Sequence, residues 1–573
     1  MYSKLNKFEK IIFDICSVFL VLFYSYAAVL RPASTQYHRG IFVIITYVLV
    51  FLLYKSKNKI TRTLDYILIV LSIVSISYWI LNFEAINYRT GAETALDTLV
   101  AVMGVLLGIE IARRVVGNVF VILGAVMLFY GVFGHLLPDI VSHAGDTFPQ
   151  LCTTIFYRSD GVFGIMANVL ATYVILFVLF GAFLEKSGAQ KFFIDFPLAA
   201  VGHKIGGPAK VSVIASGLFG SISGSAIANT VSTGAFTIPM MKKAGFRPHV
   251  AGAIEPAASI GGMFMPPIMG AGGFIMAELT GIPYSRIMLI SLFPAVMYFF
   301  SVFVMVHYEA KKYNLVGERH KHDAVTILKK GWYYSLPLAG ITILMLNGFS
   351  PGYSAVIGIV ICIIISWFNK DTKIDLKKFV EASRSGAENS LKIGATVGVI
   401  GIIIGVLTFS GLVLTFADIV IELASGSLFL TILLIALASL VLGMGVPVTA
   451  AYLITAVVAV PALVHLGVNP IASHMIVYWL SQDSNITPPV CIAAFTGAAI
   501  AKAKMWKTAF TAFKFAKFLY LGPFLFGYVP GFSLQGDTMD IIKAFVLIIF
   551  GTWLFGYLLS GVWLGKHRKN RAI

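Results

Sequence analysis

Two stretches of this chain, about 222 residues apart, repeat one unusual layout: an apolar hairpin interrupted by small polar residues, then an apolar segment broken at Pro-Pro. The first runs through Gly220-Ser-Ile-Ser-Gly-Ser-Ala-Ile-Ala-Asn229, Ile238-Pro239 and Phe264-Met-Pro-Pro-Ile-Met-Gly270. The second runs through Leu442-Gly-Met-Gly-Val-Pro-Val-Thr-Ala450, Val460-Pro461 and Asn485-Ile-Thr-Pro-Pro-Val490. Pro239 is as far from Pro266 as Pro461 is from Pro488, and the Ser187-Gly188 and Ser410-Gly411 steps upstream fall at nearly the same offset. Apolar segments interrupted by Gly and Pro at corresponding places in two halves of a membrane protein point to a binding site at the interface of an internal repeat.

That reading requires a membrane, and composition supplies it. Of 573 residues, 58% are hydrophobic and only 12% charged, which is too apolar for a soluble core of this size. Apolar runs of roughly 17 to 25 residues, the length that crosses about 30 Å of hydrocarbon, recur from end to end. The spacing predicts spans at 11-31, 40-54, 63-82, 95-112, 117-136, 163-184, 249-279, 284-306, 332-348, 351-368, 391-415, 471-500, 508-531 and 539-562. The first of these is read as a retained span, because it is longer than a signal-peptide core. Two stretches, 211-241 and 427-463, are too long for one span and carry Gly, Ser or Pro at the middle, so they are predicted to be re-entrant hairpins.

The net charge of +17 reflects topology, not nucleic-acid binding. Most of the 43 Lys and Arg fall in alternate loops: 1-10, 55-62, 113-114, 186-210, 242-247, 307-330, 370-392, 502-507 and 566-571. The positive-inside rule then places both termini in the cytoplasm. Five spans separate the hairpins, so they enter from opposite faces and the repeat is inverted, as alternating access requires. The predicted fold is an all-α polytopic membrane protein with about 14 transmembrane helices and two re-entrant hairpins. It divides into a four-helix part, 1-115, and a large part, 116-573, with repeats at about 163-306 and 391-531. The basic segment 370-392 has helical apolar spacing and is read as an interfacial helix or a charged loop.

Backbone that leaves helical geometry inside a bilayer needs partners for its N–H and C=O groups, and carbonyls at a break can serve a cation while helix N-termini serve a carboxylate. In the first repeat the candidates are Ser221, Ser223, Ser225, Asn229 and Thr230, facing Ser259, Gly261 and Gly262. In the second they are Gly443, Gly445, Pro447 and Thr449, facing Asp483, Ser484, Asn485 and Thr487. Close helix packing by small residues is the competing explanation. Asp483 is the sharpest single residue, since an ionisable group at a break within a span marks a functional site unless it lies at the interface. Glu255 is expected either to meet Lys242 or Arg247 at the cytoplasmic interface or to carry a proton. Lys514 and Lys517 are expected to snorkel to the cytoplasmic surface. His465 and His474 flank an external loop and are assigned no role, and the scattered Cys16, Cys152, Cys362 and Cys491 suggest neither a disulfide framework nor a metal cluster.

The Gly220–Asn229 run, Gly252-Ala-Ile-Glu-Pro-Ala-Ala-Ser-Ile-Gly-Gly262 with Met265-Pro-Pro-Ile-Met-Gly270, and Leu442–Pro447 with Ile486-Thr-Pro-Pro-Val490 closely resemble the membrane component of tripartite ATP-independent periplasmic (TRAP) transporters. The resemblance is strongest to fused small-plus-large permeases of the TAXI branch, with 1-115 in the place of the small subunit by topology alone. It implies uptake of an organic anion, usually a carboxylate, across a bacterial or archaeal inner membrane. It also implies coupling to a cation, commonly sodium with a proton as the alternative, an elevator motion, and a separate extracytoplasmic solute-binding protein, with no further cofactor. By carry-over, Ser223, Ser225, Asn229, Gly261 and Gly262 would form one cation site. Gly443, Gly445, Thr449, Ser484, Asn485 and Thr487 would supply the other, and Asp483 joins them on the reading of an ionisable residue at a break. The substrate would lie between the tips, near Ser223, Ser225, Asn229, Pro447, Thr449 and Asn485. Pro256 departs from the usual small residue, and Ser481–Asn485 is more polar than the pattern. A dicarboxylate-sodium symporter without a binding protein is the nearest rival. An intramembrane enzyme lacks the H-E-x-x-H, G-x-S-G or G-x-G-D motifs, and a channel lacks a filter motif.

Overall fold

The computed structural model describes residues 2–56, 59–317 and 323–564; the basic segment 566–571 lies outside them. Among the described residues the ordered elements are helices, with a single isolated bridge between Ile205 and Val316. Among the described residues, eleven helices are long and apolar enough to cross a membrane, including Lys7–Val29, Ala95–Val115, Tyr284–Tyr313 and Thr538–Ser560. Predicted spans 249-279 and 471-500 are absent from that set because each is two shorter helices, and Leu336–Leu346 and Pro351–Ser366 are short.

The repeat is written in the backbone. Gly188 and Gly411 both take positive φ, 88° and 71°, and each ends a span and starts a shorter helix, Ala189–Val201 or Leu412–Leu423. Such angles suit glycine, which has no Cβ to clash. Each short helix leads to a hairpin: Gly207–Ser223 with Ala226–Lys243, and Leu428–Leu442 with Val448–His465. Each hairpin leads to a broken helix: Pro248–Gly262 with Gly270–Thr280, and Pro470–Leu480 with Ile492–Ala501. Helical bonding stops at the Pro-Pro pairs because proline has no N–H to donate, and a positive-φ residue, Met269 or Cys491, restarts each second half.

The broken helices cross through small residues. A Cβ on Gly497 would lie 2.2 Å from the Gly252 carbonyl oxygen and 2.7 Å from Pro256 Cγ, so the first half of one packs on the second half of the other. Pro256 is thus part of this contact. Nearer the breaks, Phe264 stacks on Trp479 with ring centroids 4.3 Å apart. Lys242 at the base of the first hairpin donates to the Ala501 carbonyl at 2.9 Å, which ties that base to the end of the second broken helix.

Two boundaries differ from the sequence expectation. The segment 370-392 is mostly helical and not a charged loop: Leu376–Gly394 runs almost directly into Val397–Ser410 and packs against Ile175–Lys186 and Lys7–Val29. Ala382, Ala387 and Leu391 are buried in that packing, and Arg384 grips Asp14 through two hydrogen bonds of 2.7 and 2.8 Å. The span predicted to end at 415 ends at Ser410, and Phe148–Tyr157, unforeseen, inserts beside Ala95–Val115, where Tyr157 donates to the Asp97 carbonyl.

Candidate functional site

The first hairpin turns at Gly224, with φ 61°, and Ser225 caps the returning helix by accepting from the Ala228 N–H at 3.3 Å. Ser223 is exposed and its hydroxyl faces the Ser225 carbonyl at 3.3 Å, so both tip serines make local turn contacts. Asn229, one turn further in, is fully buried. Its Nδ2 donates to the Ser216 carbonyl at 3.0 Å, and its Oδ1 has no partner. A Cβ on Gly220 would meet Gly262 Cα at 2.7 Å, Asn229 Nδ2 at 3.0 Å and the Ser259 carbonyl oxygen at 3.3 Å. Asn229, Ser259 and Gly262 therefore converge on Gly220, and Ser259 Oγ is a second buried atom without a partner. Gly261 faces elsewhere, against the rings of Tyr298 and Phe299. Ser221 and Thr230 direct their hydroxyls to the Leu218 and Ala226 carbonyls.

The second repeat builds a matching contact. A Cβ on Gly443 would fall 2.5 Å from Ser484 Oγ, so the hairpin backbone lies against the residues preceding the second break. Thr449 Oγ1, Asp483 Oδ1, Asn485 Nδ2, Ser439 Oγ and both polar atoms of Gln482 are buried without partners. Asp483 is 3% exposed. Gly445, with φ 86°, is exposed and faces Val119, apart from that cluster. Pro447 opens the returning helix, and Thr487 pairs with Tyr520 across 2.5 Å.

Leaving a buried polar atom unmade costs about 1–3 kcal/mol. Such atoms are retained where something else satisfies them, and hydroxyl, amide and carboxyl oxygens are hard donors that suit a small cation.

Several participants were not legible in the sequence. Tyr478 Oη lies 2.7 Å from the Met263 carbonyl oxygen and 2.6 Å from that of Met269, so its one hydrogen can serve either side of the first break from the opposite repeat. Tyr284 reaches the Pro267 carbonyl at 2.9 Å. A tyrosine in an apolar span reads as an interfacial anchor, which hid both. His474, which flanks the predicted external loop, is buried and hydrogen-bonded to Tyr452 across 3.0 Å. Lys517 does not snorkel: it is buried with Nζ 3.4 Å from the Ser301 carbonyl oxygen, while Lys514 is exposed. Glu255 does not meet the cytoplasmic bases either, since Lys242 is taken by Ala501 and Arg247 pairs with Glu309 at 2.8 Å.

With that geometry in view, the comparison with known families is direct. Residues 103–532 match the family described as tripartite ATP-independent periplasmic transporter, DctM component. The chain belongs to the DctM family. It is 26% identical over 317 residues to a putative TRAP transporter large permease protein of Haemophilus influenzae, covering 55% of this chain and 74% of that one. It is 24% identical to the C4-dicarboxylate TRAP transporter large permease protein DctM of Vibrio cholerae, covering 69% and 90%. The sialic acid TRAP transporter large permease protein SiaM of Vibrio cholerae is 24% identical, over 60% and 80%. Among solved structures, the Alcanivorax borkumensis YdaH transporter aligns over 76% of this chain and 98% of its own, with TM-score 0.46 and 15% identity. This DctM-family chain is thus a multi-pass transporter permease and not an enzyme.

Proposed function

We propose that this permease imports an organic anion of the carboxylate class, coupled to a cation gradient, with sodium as the cation and an extracytoplasmic binding protein as the donor of substrate. The observation that carries the reading is the set of buried, partnerless oxygens on residues of the hairpins and broken helices of both repeats: Asn229 Oδ1 and Ser259 Oγ in the first, and Ser439 Oγ, Thr449 Oγ1 and Asp483 Oδ1 in the second. Oxygen-rich pockets at the ends of broken helices suit cations, and the N–H groups at the hairpin tips suit a carboxylate between them. The relatives whose names state a substrate name carboxylates: C4-dicarboxylates, sialic acid and 2,3-diketo-L-gulonate. The inverted repeat supports an elevator motion of hairpins and broken helices against the remaining helices.

The helices of 1-115 lie almost wholly outside the matched 103–532, and this supports their being a fused small subunit of the TAXI arrangement. The basic loops support an inner-membrane chain with both termini in the cytoplasm.

The test is uptake of labelled C4-dicarboxylates into proteoliposomes, with an inward sodium gradient against choline, and with and without candidate binding proteins. Sodium-dependent uptake only with a binding protein is expected. Uptake without one would favour the symporter reading, and uptake indifferent to sodium would remove sodium from the proposal.

A further inference from the structure

Glu255 lies two turns into the first broken helix and is fully buried. Its Oε2 accepts from Ser212 and Thr237, and its Oε1 from Ser216 and Thr233. All four hydroxyls come from the two arms of the first hairpin.

Among the described residues, no fixed positive charge is paired with this carboxyl. On the hairpin arms, Lys210 faces His307 at 3.2 Å, Lys242 is bound to Ala501 and Lys243 is exposed. On Glu255's own helix the other titratable side chain is His249, at its first turn. The packed helix Tyr284–Tyr313 carries exposed Arg286 and Lys311, Lys312 beside the Tyr313 ring, His307, and Glu309, which takes Arg247. Ile492–Ala501 has no titratable residue, and Lys507 and Lys514 of Met505–Phe515 are exposed. Among the described residues, no Lys, Arg or His is ion-paired with Glu255.

The hydrogens can be counted. Each hydroxyl has one, and a carboxylate would receive all four. Thr233 Oγ1 also stands 2.7 Å from the Asn229 carbonyl oxygen, and Thr237 Oγ1 3.1 Å from that of Thr233. When the carboxyl carries a proton, one threonine turns its hydrogen to its own helix and accepts from Glu255 instead. The cage keeps every hydrogen bonded in both states, by rotation of a hydroxyl alone. None of the five side chains has an orphaned polar atom, in contrast to the tip residues. A proton is a species it can gain and lose with every hydrogen still bonded.

We propose that Glu255, with Ser212, Ser216, Thr233 and Thr237, forms a proton-binding site inside the first repeat, separate from the pockets at the hairpin tips. The proton comes from water and returns to water, and nothing is oxidised or reduced. The cage touches the tip pocket through Asn229, whose Nδ2 donates to the Ser216 carbonyl and whose own backbone carbonyl oxygen lies 2.7 Å from Thr233 Oγ1. Use of the proton in coupling rests on the carrier reading above; the site itself does not.

Infrared difference spectroscopy on the full chain in lipid tests it with no substrate present. Stepping wild type between weakly acid and weakly alkaline buffer in choline chloride should raise and remove a carboxyl C=O band reversibly, with the shift expected in D2O. That band should be lost in Glu255→Gln and kept in Asp483→Asn. Thr237→Val, which removes one hydroxyl, should shift the band, and it reports on the site even if Glu255→Gln fails to fold. A Glu255→Gln spectrum superimposable on wild type, or a band unmoved by Thr237→Val, would overturn the proposal. Because neither sodium nor substrate enters the measurement, its failure is distinct from failure of the transport reading.

Discussion

A Cβ on Gly262 would sit 2.3 Å from Gly220 Cα, so the first broken helix and the first hairpin touch backbone to backbone. That contact brings Asn229 and Ser259 to one place, and it leaves no room for a methyl group. Overpacking of a tight site costs about 1–3 kcal/mol. Gly262→Ala should therefore lower the melting temperature of the purified protein. Gly551→Ala, on a helix with nothing within 4 Å, should not, and equal melting of the two variants would contradict the contact.

Asn229→Ala and Thr449→Ala should abolish transport while leaving membrane insertion intact. Thr449 Oγ1 has no partner within the fold, so its loss should barely alter melting, whereas Asn229→Ala loses one hydrogen bond worth about 0.5–1.5 kcal/mol. Reconstituted uptake and size-exclusion profiles check this, and wild-type uptake by either variant would sink the assigned site.

Sodium chloride should stabilise the detergent-purified protein relative to choline chloride at matched ionic strength. A ligand at about 100 times its dissociation constant contributes roughly 2.7 kcal/mol. The rise should vanish in Asn229→Ala; no sodium-specific rise in wild type would argue for the proton as the coupling ion.

Tyr478→Phe keeps the ring against Tyr452 and removes the hydroxyl that can serve either of two carbonyls at the first break. A buried acceptor left without its donor costs about 1–3 kcal/mol, so melting should fall and uptake should fall with it. A neutral result would show that this hydroxyl does not hold the break.

Arg384 and Asp14 join the long helix 376–410 to the first helix, with both side chains about one quarter exposed and the guanidinium 3.8 Å from the Tyr2 ring centroid. Partial exposure limits such a pair to about 1 kcal/mol. A double-mutant cycle on Arg384→Ala and Asp14→Ala, read by thermal unfolding, should recover a coupling of that order, and strict additivity would refute it.

The repeat, the two breaks and the polar tips were legible in the chain because local chemistry writes them. Proline lacks an N–H, glycine alone takes the angles at 188, 224 and 411 without strain, and apolar runs of spanning length need a bilayer. Asn229, Thr449, Asp483 and Asn485 stood out for a related reason, as polar groups in apolar surroundings, and the structure buries all four. Only tertiary packing decided the rest. Ser212, Ser216, Thr233 and Thr237 are ordinary hydroxyls in apolar helices until the first hairpin folds around Glu255. Tyr478 reaches the break from the other repeat, and Lys517 turns inward where its length would have let it reach the surface. A run of residues specifies what each backbone segment can do, but which polar groups meet depends on side chains brought together from distant parts of the chain, and that pairing exists only in the packed structure.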